Sequence, residues 1–243
     1  MPQDIETINL GGVNCFLLKA GDGFVLIDTG FAARRDQLEK ELGRAGCRPG
    51  DLKLIVLTHG DVDHVGNCAY LRAKYGAKIA MHRGDVGMVE RGDASWNRKA
   101  KPDRISFLFR AVIFFTGLFV RPGAFDVFSP DVILEDGDDL STYGCDAVVL
   151  HLPGHSKGSI GILMPGGDAS GGRSGTARGT SGQALFCGDL LMNMTRPGAH
   201  FMINDLADFN ASLEKLRGLD IGTVYPAHGR PFPMASFRWD HRS

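Results

Sequence analysis

Leu52-Lys53-Leu54-Ile55-Val56-Leu57-Thr58-His59-Gly60-Asp61-Val62-Asp63-His64 is the stretch that decides the reading of this chain. Its first six residues form a mostly apolar run, suited to a strand buried on both faces. The rest is a loop with two histidines and two aspartates from His59 to His64. A strand end is rigid, and a loop leaves side chains free to converge, so ligands can be held in fixed geometry. Imidazole and carboxylate together suit zinc, iron or manganese. The competing reading is a helix-capping turn, with Asp63 as the cap and the histidines in water.

Three later segments repeat the pattern. His155 sits in His151-Leu152-Pro153-Gly154-His155-Ser156, after an apolar strand. Asp189 ends Phe186-Cys187-Gly188-Asp189, and His228 lies in Val224-Tyr225-Pro226-Ala227-His228-Gly229. Each is unremarkable alone. Strand ends that repeatedly carry His or Asp onto loops point to a shared site.

The remaining elements support one mixed α/β domain over 1–243, with a core from about 13 to 230. Strands are expected at Val13–Lys19, Phe24–Asp28, Leu52–Leu57, Lys78–Met81, Val132–Leu134, Ala147–His151, Ser159–Met164, Ala184–Cys187 and Thr223–Tyr225. Helices are expected over Ala33–Ala45, Asn67–Tyr75 and Leu206–Arg217. Two parts break the rhythm. Residues 83–130 are irregular and aromatic-rich, and 166–183 are a Gly/Ser-rich run expected to form a mobile loop. Within the first, Ile105 to Val120 is strongly apolar. Arg110 interrupts it, leaving a run shorter than the roughly 20 residues of a membrane span. A buried helix or hairpin, a pocket wall or lid, and a dimer surface all remain open for it.

Composition narrows the function classes. The chain is 43% hydrophobic and 23% charged, with formal net charge −1, so no bulk charge draws it to nucleic acid or an anionic membrane. Cys15, Cys47, Cys68, Cys145 and Cys187 are odd in number and form no CxxC pair, which argues against a disulfide framework. The first residues show neither a basic nor an apolar leader region, and a cytoplasmic location is expected.

The ordered motifs resemble the metallo-β-lactamase superfamily. Its fingerprint is His-x-His-x-Asp-His, then Pro-Gly-His, Gly-Asp and a last His. Here these are His59-Gly60-Asp61-Val62-Asp63-His64, Pro153-Gly154-His155, Gly188-Asp189 and Ala227-His228-Gly229, with Asp28-Thr29-Gly30 as an early strand-end Asp. The resemblance implies a four-layer αββα sandwich and two divalent metal ions, zinc first. It implies that His59, Asp61 and His155 hold one ion and that Asp63, His64 and His228 hold the other. Asp189 would bridge them, and Asp28 would orient the ligands. Asp63 would also position the attacking water and return a proton to the leaving group.

Asp61 departs from the family, which usually has His there. A carboxylate is harder and negatively charged, so it is expected to make iron or manganese more competitive and the metal pair less positive. Some family members with a carboxylate here are iron-dependent redox enzymes, which keeps that class open beside hydrolysis of an ester, thioester or lactone. A phosphodiesterase and a non-catalytic scaffold are weaker readings. Lactamases of the family often carry Cys where this chain has Asp189, which counts against β-lactam cleavage. Cys187 is read as a buried thiol, and His82, His151, His200 and His241 as structural or surface residues. The aromatic run offers Phe114 and Phe115 as pocket walls for a small substrate with an apolar or acyl part.

Overall fold

Buried apolar side chains alternate along the strands, and that period of two builds the layers of the molecule. A computed structural model describes residues 5–106, 125–166 and 182–239 of the chain. The first sheet contains β1 (Ile5–Asn9), β2 (Asn14–Ala20), β3 (Gly23–Ile27), β4 (Leu52–Val56), β5 (Lys78–His82) and β7 (Val132–Leu134), hydrogen-bonded in that order. The second contains β8 (Val148–His151), β9 (Ile160–Met164), β10 (Gln183–Phe186), β14 (Ile221–Tyr225) and β15 (Phe232–Pro233), in the order β15-β14-β10-β9-β8. Two short pairs complete the strands among the described residues. One joins β11 (Leu191–Met192) to β12 (Gly198–Ala199), the other β6 (Arg104–Ile105) to β13 (Met202–Ile203).

Phe16, Val25, Ile27, Leu54 and Val56 from one sheet pack against Val149, Ile162, Phe186 and Tyr225 from the other. The Phe16 and Phe186 rings meet edge-on at 4.9 Å. Their neighbours Leu17, Leu26 and Ile55 point the opposite way, onto Leu38 and Leu42 of α1 (Arg35–Arg44) and Leu71 and Tyr75 of α3 (Cys68–Tyr75). On the far side, Leu163, Leu185 and Val224 cover Phe209, Leu213 and Leu216 of α5 (Leu206–Arg217). Helices therefore flank two face-to-face sheets, as expected for an αββα sandwich.

Strand direction places the site. β3 and β4 run parallel, as do β10 and β14. β8 is antiparallel to β9, which is antiparallel to β10, so β8 and β10 share a direction. The loops after β3, β4, β8, β10 and β14 leave carboxyl ends of strands, where α/β folds build ligand sites.

Several boundaries shift from expectation. The first helix begins as a 3-10 turn, Ala32–Arg34, before α1. β1 was not anticipated because this edge strand is mostly exposed and lacks an apolar run. The loop after β4 contains a single-turn helix, α2 (Val62–Val65). The middle of the chain is more regular than expected. It holds a 3-10 turn, Arg83–Asp85, then α4 (Val86–Arg91) and β6. Phe114, Phe115, the apolar run from 107 onward and most of the Gly/Ser-rich loop lie outside the described residues, and Ile105 at its start is in β6. Among the described residues, no helix is long and apolar enough to cross a membrane.

Candidate metal centre

Asp28 leaves β3 with φ of 58°, a conformation that is rare for a residue with a side chain. The turn aims its buried carboxylate at the loop after β4. Oδ1 accepts the Thr58 backbone N–H at 2.8 Å, and Oδ2 accepts the Thr58 hydroxyl at 2.8 Å. Oδ2 also lies 2.9 Å from Nδ1 of His64. The α2 turn then orients Asp61, Asp63 and His64. Its cap position is Asp61, whose side chain makes no capping hydrogen bond. Asp63 is therefore not the helix cap that the competing reading required.

Each of four imidazoles has its outer nitrogen engaged. Nδ1 of His155 lies 3.1 Å from the Met202 carbonyl, and Nδ1 of His228 lies 2.9 Å from the Gly12 carbonyl. A carbonyl only accepts, so both Nδ1 atoms carry protons. His64 Nδ1 faces Asp28. His59 Nδ1 lies 3.1 Å from the Thr58 hydroxyl, which has already given its hydrogen to Asp28. All four rings are thereby set to present Nε2 inward, the tautomer that a neutral histidine needs as a metal ligand.

Asp189 stands at the centre. Its Oδ1 lies 3.3 Å from Nε2 of His228 and 3.6 Å from Nε2 of His64. Its Oδ2 lies 3.7 Å from Nε2 of His155 and 3.8 Å from Nε2 of His59. Asp61 Oδ2 faces His155 Nε2 at 2.9 Å and His59 Nε2 at 3.3 Å. Asp63 Oδ2 lies 3.5 Å from His228 Nε2. His59–Asp61–His155, His59–His64–Asp189 and Asp63–His64–His228 each gather possible ligand atoms within 4.8 Å. The structure therefore brings all seven sequence-selected residues to one place, with Asp28 behind them.

Of the histidines read as structural or surface residues, His200 lies beside the ligand set. It is buried in the site, with Nε2 3.3 Å from Asp189 Oδ2, and it forms a further ligand group with His155 and Asp189. It follows the two-residue strand β12, so no apolar run marks it. Arg98 and Asp85 were also missed. Arg98 reaches Asp61 from the middle segment, with Nη2 2.9 Å from Oδ2 and Nη1 2.9 Å from Oδ1. The negative charge of Asp61 is thus answered by a guanidinium. Asp85 is buried and joins two ligand loops. It accepts Gly60 N–H at 3.1 Å, the Ser156 hydroxyl at 2.6 Å and Gly158 N–H at 2.7 Å. Cys187 is buried, and burial pushes its thiol up to about 12.

The electrostatics favour cations. Burial raises the Asp61 carboxyl, but Arg98, His155 and His59 outweigh it and hold the group well below its usual range. Burial likewise opposes ionisation of Asp189, and His228, His200 and His64 overcome it. His228 is lifted to about 9 because Asp189 and Asp63 outweigh its burial. Burial drives His200 down to about 3. Nε2 of His59, Nε2 of His64 and Oδ1 of Asp189 are buried without hydrogen-bond partners among the described residues. Such atoms each cost about 1–3 kcal/mol when left unmet. Nitrogen and carboxylate oxygen atoms facing one another in this way fit a shared divalent cation.

Comparison with known proteins places this arrangement in a family. Residues 8–169 match the metallo-beta-lactamase superfamily. An acyl-coenzyme A thioesterase of Bos taurus is 27% identical over 163 residues, covering 60% of this chain and 52% of that protein. A hydroxyacylglutathione hydrolase of Haemophilus influenzae is 32% identical over 114 residues, covering 46% and 44%. The chain therefore spans about half the length of these relatives. A subclass B3 metallo-beta-lactamase of Bradyrhizobium japonicum shares the fold, with a TM-score of 0.67 over 93% of this chain and 75% of that one, at 20% identity. With the family model matching more than half of its residues, the chain belongs to the metallo-beta-lactamase superfamily.

Proposed function

We propose that this protein is a metal-dependent hydrolase of acyl thioesters, with esters and lactones as poorer substrates. The observation that carries the proposal is the inward convergence of the His59, His64, His155 and His228 Nε2 atoms on Asp189. Asp189 would bridge two ions, one held by His59, Asp61 and His155, the other by Asp63, His64 and His228. Zinc is the first choice, because nitrogen-rich ligand sets with carboxylates suit it. The chemistry such ions supply is Lewis acidity, which polarises a carbonyl and brings the pKa of water towards about 7.

The protein's own groups do the rest. His59, His64, His155 and Asp189 form a buried floor, whereas Asp63 and His228 are partly exposed. Substrate therefore approaches from the Asp63 side. Asp63 accepts the proton released by the attacking water and returns it to the leaving thiolate. Asp28 and the carbonyls of Met202 and Gly12 hold the imidazoles in position throughout.

The thioester preference draws on the two relatives. One is named a thioesterase and the other a hydrolase of an acylglutathione. The iron-dependent redox reading rests on the Asp61 carboxylate as a hard oxygen ligand; Arg98 offsets its charge, and both relatives are named for hydrolysis. A panel of acyl-coenzyme A, acylglutathione, aryl ester, lactone and phosphodiester substrates tests the proposal on metal-loaded protein. The thioesters should turn over fastest, and His155→Ala and Asp189→Ala should abolish turnover. Preference for phosphodiesters, or full activity in both variants, would reject it.

A further inference from the structure

Arg98 gives the two proposed ion positions unequal surroundings. Its side chain is 9% exposed and reaches inward from the segment after α4. The chain holds it from several points. Arg98 N–H donates to Ser95 O at 3.1 Å, and Nη1 donates to Ala94 O at 3.2 Å. The next residue, Lys99, donates its N–H to Asn204 Oδ1 at 3.1 Å and pairs through Nζ with Asp205 at 3.2 Å. Asn97, just before it, has φ of 56°. The guanidinium is thus fixed against Asp61, with one nitrogen at 2.9 Å from each carboxylate oxygen.

Nη2 donates to Oδ2 while Oδ1 has Nη1 close by but accepts no hydrogen bond, so the pair is one charge-assisted hydrogen bond beside a close ion contact. Asp61 Oδ2 is shared further with His155 and His59. The group His59–Asp61–His155 therefore has a carboxylate already engaged by a permanent cation. The opposite group is different. Asp63 and Asp189 have only histidines within ion-pair distance among the described residues. Two anionic carboxylates face His64 and His228 there, and among the described residues neither forms an ion pair with a lysine or arginine; the Arg98 charge reaches Asp189 only at longer range. A divalent ion beside Asp61 must share a neutralised carboxylate and lie near a fixed positive charge, both of which weaken binding in a buried site.

We propose that Arg98 sets the order and strength of metal loading: with Asp189 shared by both, the Asp63–His64–His228 position binds first and tightly, and the His59–Asp61–His155 position binds second and more weakly. This rests on the metal-site reading above. Arg98 and Asp61 act as one net-neutral unit, so the second ion is tuned by a residue that lies outside every ligand motif.

Titration of metal-free protein with zinc in competition with a chromophoric chelator tests this without reference to activity. Wild type should bind one ion tightly and a second at least about tenfold more weakly. Arg98→Met and Arg98→Gln remove the charge, and Gln keeps a donor for Asp61. Either folded variant, checked by circular dichroism, should tighten the second ion at least about tenfold and leave the first unchanged. Arg98→Lys should keep the second ion weak. Two equal ions in wild type would overturn the inference without any variant, and so would a second ion indifferent to charge removal. Both results leave the metal site intact. A wild type that binds no zinc would overturn the metal-site reading itself.

Discussion

Oδ2 of Asp28 stands 2.9 Å from Nδ1 of His64, and the same oxygen accepts the Thr58 hydroxyl at 2.8 Å. One carboxylate thus fixes two ring orientations, His64 directly and His59 through Thr58. Replacing Asp28 with Asn keeps the shape and the oxygen that receives Thr58 N–H, but removes the charge. Asp28→Asn should weaken metal affinity about 10- to 100-fold, the usual cost of losing a partner behind a metal ligand. Chelator competition on the folded variant measures it, and unchanged affinity would remove Asp28 from the site's support.

His200 tests the site's unanticipated member. Its Nε2 lies 3.3 Å from Asp189 Oδ2 and its ring stands 4.7 Å from His155, centroid to centroid. The four histidines with Nδ1 firmly placed suffice for two ions, so His200 is expected to orient Asp189. His200→Ala should retain both ions and lose turnover about tenfold. Loss of an ion in that variant would make His200 a ligand instead.

Asp205 links stability to pH. It caps α5, accepting the Ala207 N–H at 3.1 Å and the Asp208 N–H at 3.2 Å, and it meets Lys99 and Lys157 at 3.2 Å. The Asp208 backbone bond, then the two lysines, lower its carboxyl below the ordinary value. A carboxyl that is more acidic in the folded state stabilises above its unfolded pKa, about 3.9, and loses that contribution as pH falls through the folded value. Asp205→Ala should therefore cost about 1 kcal/mol at pH 6. The gap from wild type should narrow progressively below pH of about 4. Thermal melts across that range check it, and a gap that widened in acid would contradict the assignment.

Gly154 precedes His155 with φ of 136°, and a Cβ there would lie 2.6 Å from Cα of Phe209. Both the conformation and the space exclude a side chain. Gly154→Ala should destabilise the fold by about 2 kcal/mol or more, through backbone strain and separation of the His155 loop from α5. Denaturant unfolding measures the change. A neutral result would mean that the loop is not fixed by this contact.

Sequence patterning made the strands and the ligand loops legible for a physical reason. Leu54, Ile55 and Val56 are buried on both faces, so their run is continuously apolar, and the residues after it must leave the sheet at a defined edge. The same logic applies before His155, Asp189 and His228. It fails where a residue reaches the site without an apolar strand behind it. Arg98 sits in Ser95-Trp96-Asn97-Arg98-Lys99, which in sequence looks like a solvated surface segment. His200 follows a two-residue strand, and Asp85 lies in a 3-10 turn. Their roles come from contacts across long sequence separations, with Arg98 and Asp61 37 positions apart and Asp85 and Ser156 71 apart. Residues such as β1's exposed side chains carry no periodic signal either.

On the proposed reading, ions held by these histidines and aspartates power thioester hydrolysis. One preparation assayed on an acyl-coenzyme A substrate, before and after removal of divalent ions by a chelator, tests it most directly. Turnover should vanish once metal analysis shows the ions gone and return on addition of zinc, in step with ions bound per chain. Thioester turnover that persists in protein stripped of its ions would contradict the account.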